Sequence, residues 1–379
     1  MPETPAPAVV GMAIEEVDTP ALLVDLDAFE RNLQRMADAI SGSDARLRPH
    51  SKTHKCPVVA MRQIDHGAVG VCCQKVGEAE AMVYGGVGDL LVSNQIVGAP
   101  KLARLAALAR QAKVGVCADD AGNVGDLDAA AGAAGVTLDV LVEIDVGAGR
   151  CGVAPGAPAV ALAKTIDQAK NLRFAGLQAY HGRSQHIRAY DERRAAAETA
   201  IDQTKDTVAR LGEAGLGCDI VGGAGTGTYQ FEAASGVYNE LQAGSYVFMD
   251  VDYGKNEAED GTAFADFENS LFVYATVMSR VVDERAMLDA GLKALSVDSG
   301  MPRLWDVPGV EFVGASDEHG KLSIDGDVAG GNRDLKVGDK VHLVPGHVDP
   351  TVNLYDWYVG IRDGRVESLW PITARGLLR

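Results

Sequence analysis

The stretch RPHSKTHK, Arg48 to Lys55, sets an arginine, two lysines and two histidines within eight residues. In an extended segment alternate side chains share a face, so His50, Lys52 and His54 point the same way. A lysine crowded by Arg48, Lys55 and imidazolium at a half-buried position has its ammonium form disfavoured, which prepares an amine to form a Schiff base. A loop of solvated charges has the same composition and is the commoner outcome for such a stretch taken alone.

Further along, VGGAGTGTY (residues 221–229) offers glycines whose backbone N–H groups can turn toward an anion and hydroxyls at Thr226 and Thr228. A dinucleotide fingerprint would stand in the first βα unit, so this segment is not one. A phosphate site together with a Schiff-base lysine suggests pyridoxal phosphate. EIDVGAGRCG brings Arg150, which could meet an anionic oxygen or simply pair with one of the many carboxylates. AYHGRSQH supplies Tyr180 for a cofactor ring and His181 and His186 as candidate bases, though a lone histidine is more often structural. In PGHVDP, His347 and Asp349 at a spacing of two give one imidazole and one carboxylate to a divalent ion, leaving positions open for water and substrate. His-x-Asp is also a frequent accident.

These residues need a scaffold that brings them together. Short apolar runs (ARLRPHSK, AVGVCCQK, DLLVSNQ, KVGVCADD, LDVLVEIDVG, FAGLQAYHG, CDIVGGAGTG, ELQAGSYVFM) alternate with helical stretches such as APKLARLAALARQA and DERRAAAETAIDQTKDTVARLGEAG. The pattern predicts an α/β protein built as a (β/α)8 barrel, with a doubly wound sheet as the alternative. In a barrel the chemistry sits at the C-terminal ends of the strands. Those ends carry Lys52, Gln74, Asn94, Asp119, Asp145, Tyr180, the glycines around Thr226, and Tyr246. After Met249 the pieces SLFVYATVMSRVV, KVHLVPG and DWYVGIRDG read as strands of a second, mostly β C-terminal domain. The expected division is an N-terminal segment 1–26 pairing with the β domain through ALLVDL, a barrel over 27–265, and the β domain over 266–379.

The chain has 379 residues, 47% of them apolar, and a net charge of -18 from 53 acidic and 35 basic side chains. Such a field repels polyanions, so neither nucleic acid nor an anionic membrane surface is expected as a partner. The N-terminus lacks a basic, apolar leader, and the six cysteines lie mostly in apolar runs without a disulfide-like or zinc-like spacing. A cytoplasmic, reduced protein is the expectation.

Taken together, RPHSKTHK, GVCCQKVGEAEAM, VEIDVGAGRCGV, LQAYHG, GAGTG, YNELQAGSYVFMD, PGHVDPTVNLYDW and the final ITARG resemble the D-threonine aldolase and D-serine dehydratase family of pyridoxal phosphate enzymes, with the alanine racemase type of fold. The resemblance runs along nearly the whole chain. It implies that Lys52 holds pyridoxal 5'-phosphate, with His54 and Lys55 shaping its surroundings. Gln74 and Tyr180 would contact the ring region and Arg150 its phenolic oxygen. Gly225, Thr226, Gly227, Gly244, Ser245 and Tyr246 would hold the phosphate, and His347 and Asp349 the metal. Ala224 stands where relatives tend to have glycine.

A carboxylate in the second metal position suits Mn2+ or Mg2+ and points to an aldolase rather than a dehydratase. The implied reaction is retro-aldol cleavage of D-threonine or D-allo-threonine to glycine and an aldehyde, for which His186 or a metal-bound hydroxide is the expected catalytic base. D-3-hydroxyaspartate aldolase, and a dehydratase acting on D-serine or D-threo-3-hydroxyaspartate, are the alternatives. A homodimer is implied by the resemblance alone.

Overall fold

The computed structural model describes residues 4–325 and 334–379. Strand β1 (Ala21–Asp25) leads straight into helix α1 (Leu26–Ile40), whose first turn is capped by the Asp25 carboxylate accepting from Ala28 N–H at 2.9 Å. Eight parallel strands follow in chain order. They are β2 (Arg46–Leu47), β3 (Val71–Cys73), β4 (Asp89–Gln95), β5 (Lys113–Ala118), β6 (Leu138–Glu143), β7 (Leu172–Gln178), β8 (Ile220–Gly223) and β9 (Glu240–Leu241). Seven of the eight apolar runs of the sequence contain one of them, and the eighth, FAGLQAYHG, begins two residues inside β7. Their order, β2-β9-β8-β7-β6-β5-β4-β3, is that of a barrel. The ring closes where Cys72 N–H donates to Pro49 O and Ser51 N–H to Cys72 O, each at 2.8 Å.

Helices α2 (Pro57–Asp65), α3 (Val76–Tyr84), α4 (Ala99–Leu108), α5 (Ala121–Ala134), α6 (Ala157–Asp167), α7 (Tyr190–Glu213) and α8 (Tyr229–Ala234) connect successive strands. Leu105, Leu127, Ile166 and Leu211 are buried in the layer between these helices and the strands. Inside the barrel lies a separate cluster of Cys72, Leu91, Cys117, Leu141, Ala175 and Ile220. Small thiol side chains fit this narrow interior, and burial pushes the Cys72 and Cys117 thiols up, far from the reactive thiolate form. Cys56 and Cys73 are buried as well, while Cys151 and Cys218 are half-buried, and all six thiols are free.

The second sheet is built from β10 (Leu271–Val282), β11 (Arg285–Leu288), β12 (Arg303–Leu304), β13 (Val310–Ala315), β14 (Gly320–Ile324), β15 (Lys340–Val344), β16 (Trp357–Arg362) and β17 (Arg365–Pro371). β1 lies within it, antiparallel to β10 through Ala21↔Tyr274 and parallel to β16 through Leu23↔Val359. Between β15 and β16 runs a five-residue helix, α9 (Val348–Val352), with His347 in the residue position before it and no side-chain capping bond. Among the described residues no helix is long and apolar enough to cross a membrane.

Candidate active site

Arg48, His50 and Lys52 follow β2 and share its alternation, but they occupy different depths. Arg48 faces the end of the barrel where strands begin. Its guanidinium is buried against Glu240 at 2.6 Å and Asp89 at 2.7 Å, both at strand starts. Lys55, at φ 51°, turns to Glu78 at 3.7 Å. His54 leaves the shared face because the chain turns at 51–54. Its Nδ1 accepts from Cys56 N–H at 3.1 Å, and burial holds it down at about 3. His50 lies 2.8 Å from the Gln74 amide and is likewise held neutral, by burial and then by Lys52.

The crowding of cations expected around Lys52 therefore does not occur. Instead its Nζ meets Asp349 Oδ2 from the β domain. Burial works against the ammonium, but the Asp349 carboxylate outweighs it and the lysine pKa is raised. The amine is a paired cation, the reverse of the expected free nucleophile.

Lys52 opens into a cavity of about 400 Å³ lined also by His50, Gln74, Ser93, Arg150, Gln178, Tyr180, His186, Gln242 and Tyr253. Strand ends from around the ring thus converge on one mouth. The Arg150 guanidinium lies 5.7 Å from the Tyr180 ring centre and 3.8 Å from Glu143, so it is held in place yet half-exposed to the cavity. Burial pushes the Tyr180 hydroxyl up, keeping it a neutral donor.

Gly225, Thr226, Gly244 and Ser245 line one part of the wall. Thr226 Oγ1 is buried without a hydrogen-bond partner. The N–H groups of Gly244, Ser245 and Tyr246, at the start of a single 3-10 turn over Ser245–Val247, find no backbone acceptor among the described residues. Glycine is required at 244, since a Cβ there would come within 2.7 Å of Thr53 Oγ1 and 2.9 Å of His50 O. An orphaned hydroxyl beside turned-in backbone donors is what an anionic phosphate completes. Two expected contacts lie outside this lining. Gly227 N–H is taken by Gln185 Oε1 at 3.0 Å, and the Tyr246 hydroxyl is buried, accepting from the Gln63 amide at 3.2 Å. Ala224 adopts φ 66°, a conformation that suits glycine better.

His347 and Asp349 are set by the turn into α9, not by strand alternation. His347 Nδ1 stands 2.9 Å from Asp298 Oδ2 and 3.3 Å from Ser299 Oγ. Asp349 is held at about 2: burial opposes its charge, and Lys52 and His347 overcome that. Its Oδ1 is buried with no partner. Among the described residues no three His, Cys, Asp or Glu side chains gather as a metal site. One imidazole and one orphaned carboxylate oxygen fit an ion that takes its remaining ligands from water and substrate.

Sequence reasoning missed Asp252. Its Oδ2 lies 2.6 Å from His186 Nδ1, and Arg188 holds the other oxygen. Burial would raise this carboxyl, but His186 and Arg188 bring it down to about 2. The available signal was a carboxylate just beyond the last barrel strand, one acidic residue among 53.

Residues 24–252 match the family described as alanine racemase, N-terminal domain. The chain belongs to that family. Residues 270–361 of this alanine racemase-type protein match a second family, the putative serine dehydratase domain. The chain is 47% identical over 374 residues to 3-hydroxy-D-aspartate aldolase of Paracoccus denitrificans (strain Pd 1222), covering 98% of this chain and 95% of the relative. It is 48% identical over 375 residues to D-threonine aldolase of Arthrobacter sp., covering 99% and 97%. The crystal structure of D-threonine aldolase from Filomicrobium marinum superposes with a TM-score of 0.95 at 52% identity, covering 99% of this chain and 100% of that one. A lysine opening on a cavity with a phosphate cradle in its wall is the arrangement pyridoxal phosphate needs, and the residues present fit it.

Proposed function

We propose that the protein is a metal-activated, pyridoxal phosphate-dependent aldolase that cleaves D-β-hydroxy-α-amino acids, D-threonine or D-allo-threonine foremost, to glycine and an aldehyde. The observation that carries this reading is the meeting of Lys52 with Asp349. Lys52 lines the cavity with His50 and His186 while its Nζ meets the Asp349 carboxylate, which supports reading the two as the cofactor's lysine and a metal ligand.

Lys52 holds the cofactor, Gln74 and Tyr180 meet its ring region, Arg150 its phenolic oxygen, and Gly225, Thr226, Gly244 and Ser245 its phosphate, with Gly227 and Tyr246 in support. His347 and Asp349 hold Mn2+ or Mg2+. When bound, pyridoxal phosphate supplies a sink for the electron pair of the breaking Cα–Cβ bond, and the divalent ion a Lewis acid at the β-oxygen. His186 takes the β-hydroxyl proton as that bond breaks. The carbinol carbon departs as the aldehyde, and Cα gains a proton to give glycine. The reading also carries a homodimer, which sedimentation can weigh, and a reducing, cytoplasmic setting that suits six free thiols.

The test is product analysis with pyridoxal phosphate and Mn2+ on D-threonine, D-3-hydroxyaspartate and D-serine, repeated after EDTA. Glycine and an aldehyde, lost on chelation, are expected. If 3-hydroxyaspartate is cleaved best, to glycine and glyoxylate, the substrate assignment moves to the first alternative. Ammonia and a 2-oxo acid would make the protein a dehydratase.

A further inference from the structure

Residues 250–252 touch the His347 loop on one side and His186 on the other. Asp250 Oδ2 accepts from Val348 N–H at 3.0 Å. Val251 N–H donates to Pro345 O at 3.0 Å and Asp252 N–H to Gly346 O at 3.2 Å. These bonds strap the loop that carries His347 and Asp349 to the end of the barrel. The Asp252 side chain, from the same segment, runs to His186 at 2.6 Å. Arg188 fastens Asp252 twice, donating to its carboxylate and, at 2.6 Å, to its main-chain oxygen.

The two partners differ in exposure. Asp252 is 4% exposed, whereas the His186 side chain is 49% exposed and opens on the cavity. An ionised carboxylate only accepts, so the nitrogen facing it, Nδ1, carries the ring proton and Nε2 is left as the acceptor. The charged groups bearing on the ring are Asp252 and, behind it, Arg188; the Tyr253 ring lies 5.9 Å away.

We propose that Asp252 is a positioning residue for the reaction, fixing His186 as the Nδ1–H tautomer with Nε2 turned to the cavity and stabilising the imidazolium formed when Nε2 takes the substrate's proton. The inference rests on the reading of His186 as the base. A buried carboxylate behind an imidazole acts in this way in hydrolytic triads, where it stays ionised throughout. Because Asp252 shares its short segment with the strap, the base and the His347–Asp349 loop are positioned by one piece of chain.

The experiment uses the holoenzyme, 15N-labelled at histidine, with the His186 signals assigned by their loss in His186→Ala. Wild type is expected to show the Nδ1–H tautomer, and Asp252→Asn to lose that preference, with Nε2–H appearing, since the carboxylate that accepts only from Nδ1–H is gone. At its optimum kcat should fall about 10²-fold or more, with KM changing little and Asp252→Glu recovering part of the loss. Binding of pyridoxal phosphate and Mn2+ should stay within about twofold, an effect of less than 0.5 kcal/mol. An Nε2–H tautomer in wild type would overturn the proposal, whether or not the variants fold. So would an unchanged His186 tautomer in a folded Asp252→Asn, which would make Asp252 a strut for Arg188. Full activity in His186→Ala would sink the base reading itself, a separate result from either of these.

Discussion

Asp349 Oδ2 and Lys52 Nζ form an ion pair across the seam between the β domain and the barrel. The Asp349 side chain is deeply set while Lys52 opens on the cavity, and the pairing makes the buried carboxylate's charge tolerable. The depressed Asp349 pKa contributes stability above the unfolded value of 3.8, lost as pH falls through about 2. The raised Lys52 pKa contributes stability below 10.5, lost as pH rises past its folded value.

Asp349→Asn keeps the shape and removes the charge. Activation by Mn2+ is expected to fall by about 100-fold or more, with the bound pyridoxal phosphate retained. Mn2+ titration followed by electron paramagnetic resonance checks the first part and absorbance the second. Unchanged Mn2+ affinity would remove Asp349 from the metal site.

Lys52→Ala is expected to yield folded protein from which the cofactor dialyses away and which borohydride no longer fixes covalently. A retained covalent label would assign the cofactor to another amine.

Glu232, on α8 beyond the GAGTG segment, accepts from Thr228 Oγ1 at 2.9 Å while its Oε2 is buried without a partner. Burial raises its pKa from 4.5 to about 8. Between those values the folded protein holds a proton that the unfolded chain has released, so stability falls as pH rises through this window. Glu232→Gln is expected to flatten the decline, removing a dependence of roughly a few kcal/mol. Urea midpoints of both proteins at about pH 5 and pH 9 measure it, and parallel curves would refute the assignment.

Gly244→Ala drives a methyl group against Thr53 and the His50 carbonyl. Overpacking of this kind costs about 1–3 kcal/mol, and pyridoxal phosphate affinity is expected to drop about tenfold as the turn shifts. Fluorescence titration of the apoprotein reports the affinity. An unaffected dissociation constant would place the phosphate elsewhere.

Ala224→Gly relieves a left-handed alanine at φ 66°. The relief is about 1–2 kcal/mol and the added unfolded-state entropy about 0.5–1 kcal/mol, so a net gain of about 0.5 kcal/mol is expected. Thermal denaturation should show a small rise, and a fall would mean that the alanine methyl packs favourably enough to compensate.

The barrel was legible because strands buried on both faces are written as unbroken apolar runs, and LDVLVEIDVG or FAGLQAYHG can hardly be anything else. What alternation could not disclose was depth and partner. Arg48 and Lys52 share a face, yet one is neutralised by Glu240, 192 residues away, and the other by Asp349, 297 away. The expectation that local crowding would disfavour the Lys52 ammonium failed for that reason. His347 and Asp349 are set by the turn into α9, so the alternation that the sequence suggested does not describe them. Asp252 was invisible because its meaning lies in a contact with His186, 66 residues earlier in the chain.

The thiols packed inside the barrel give it a built-in reporter. Cys72 and Cys117 line its interior, and Cys56 and Cys73 are buried beside it, while Cys151 and Cys218 are partly accessible. A thiol-specific dye added to the native protein therefore has two easy targets and four that wait for the strands to part. The slow phase of labelling becomes a clock for barrel opening, readable without any engineered probe and slowed by whatever ligand holds the ring shut.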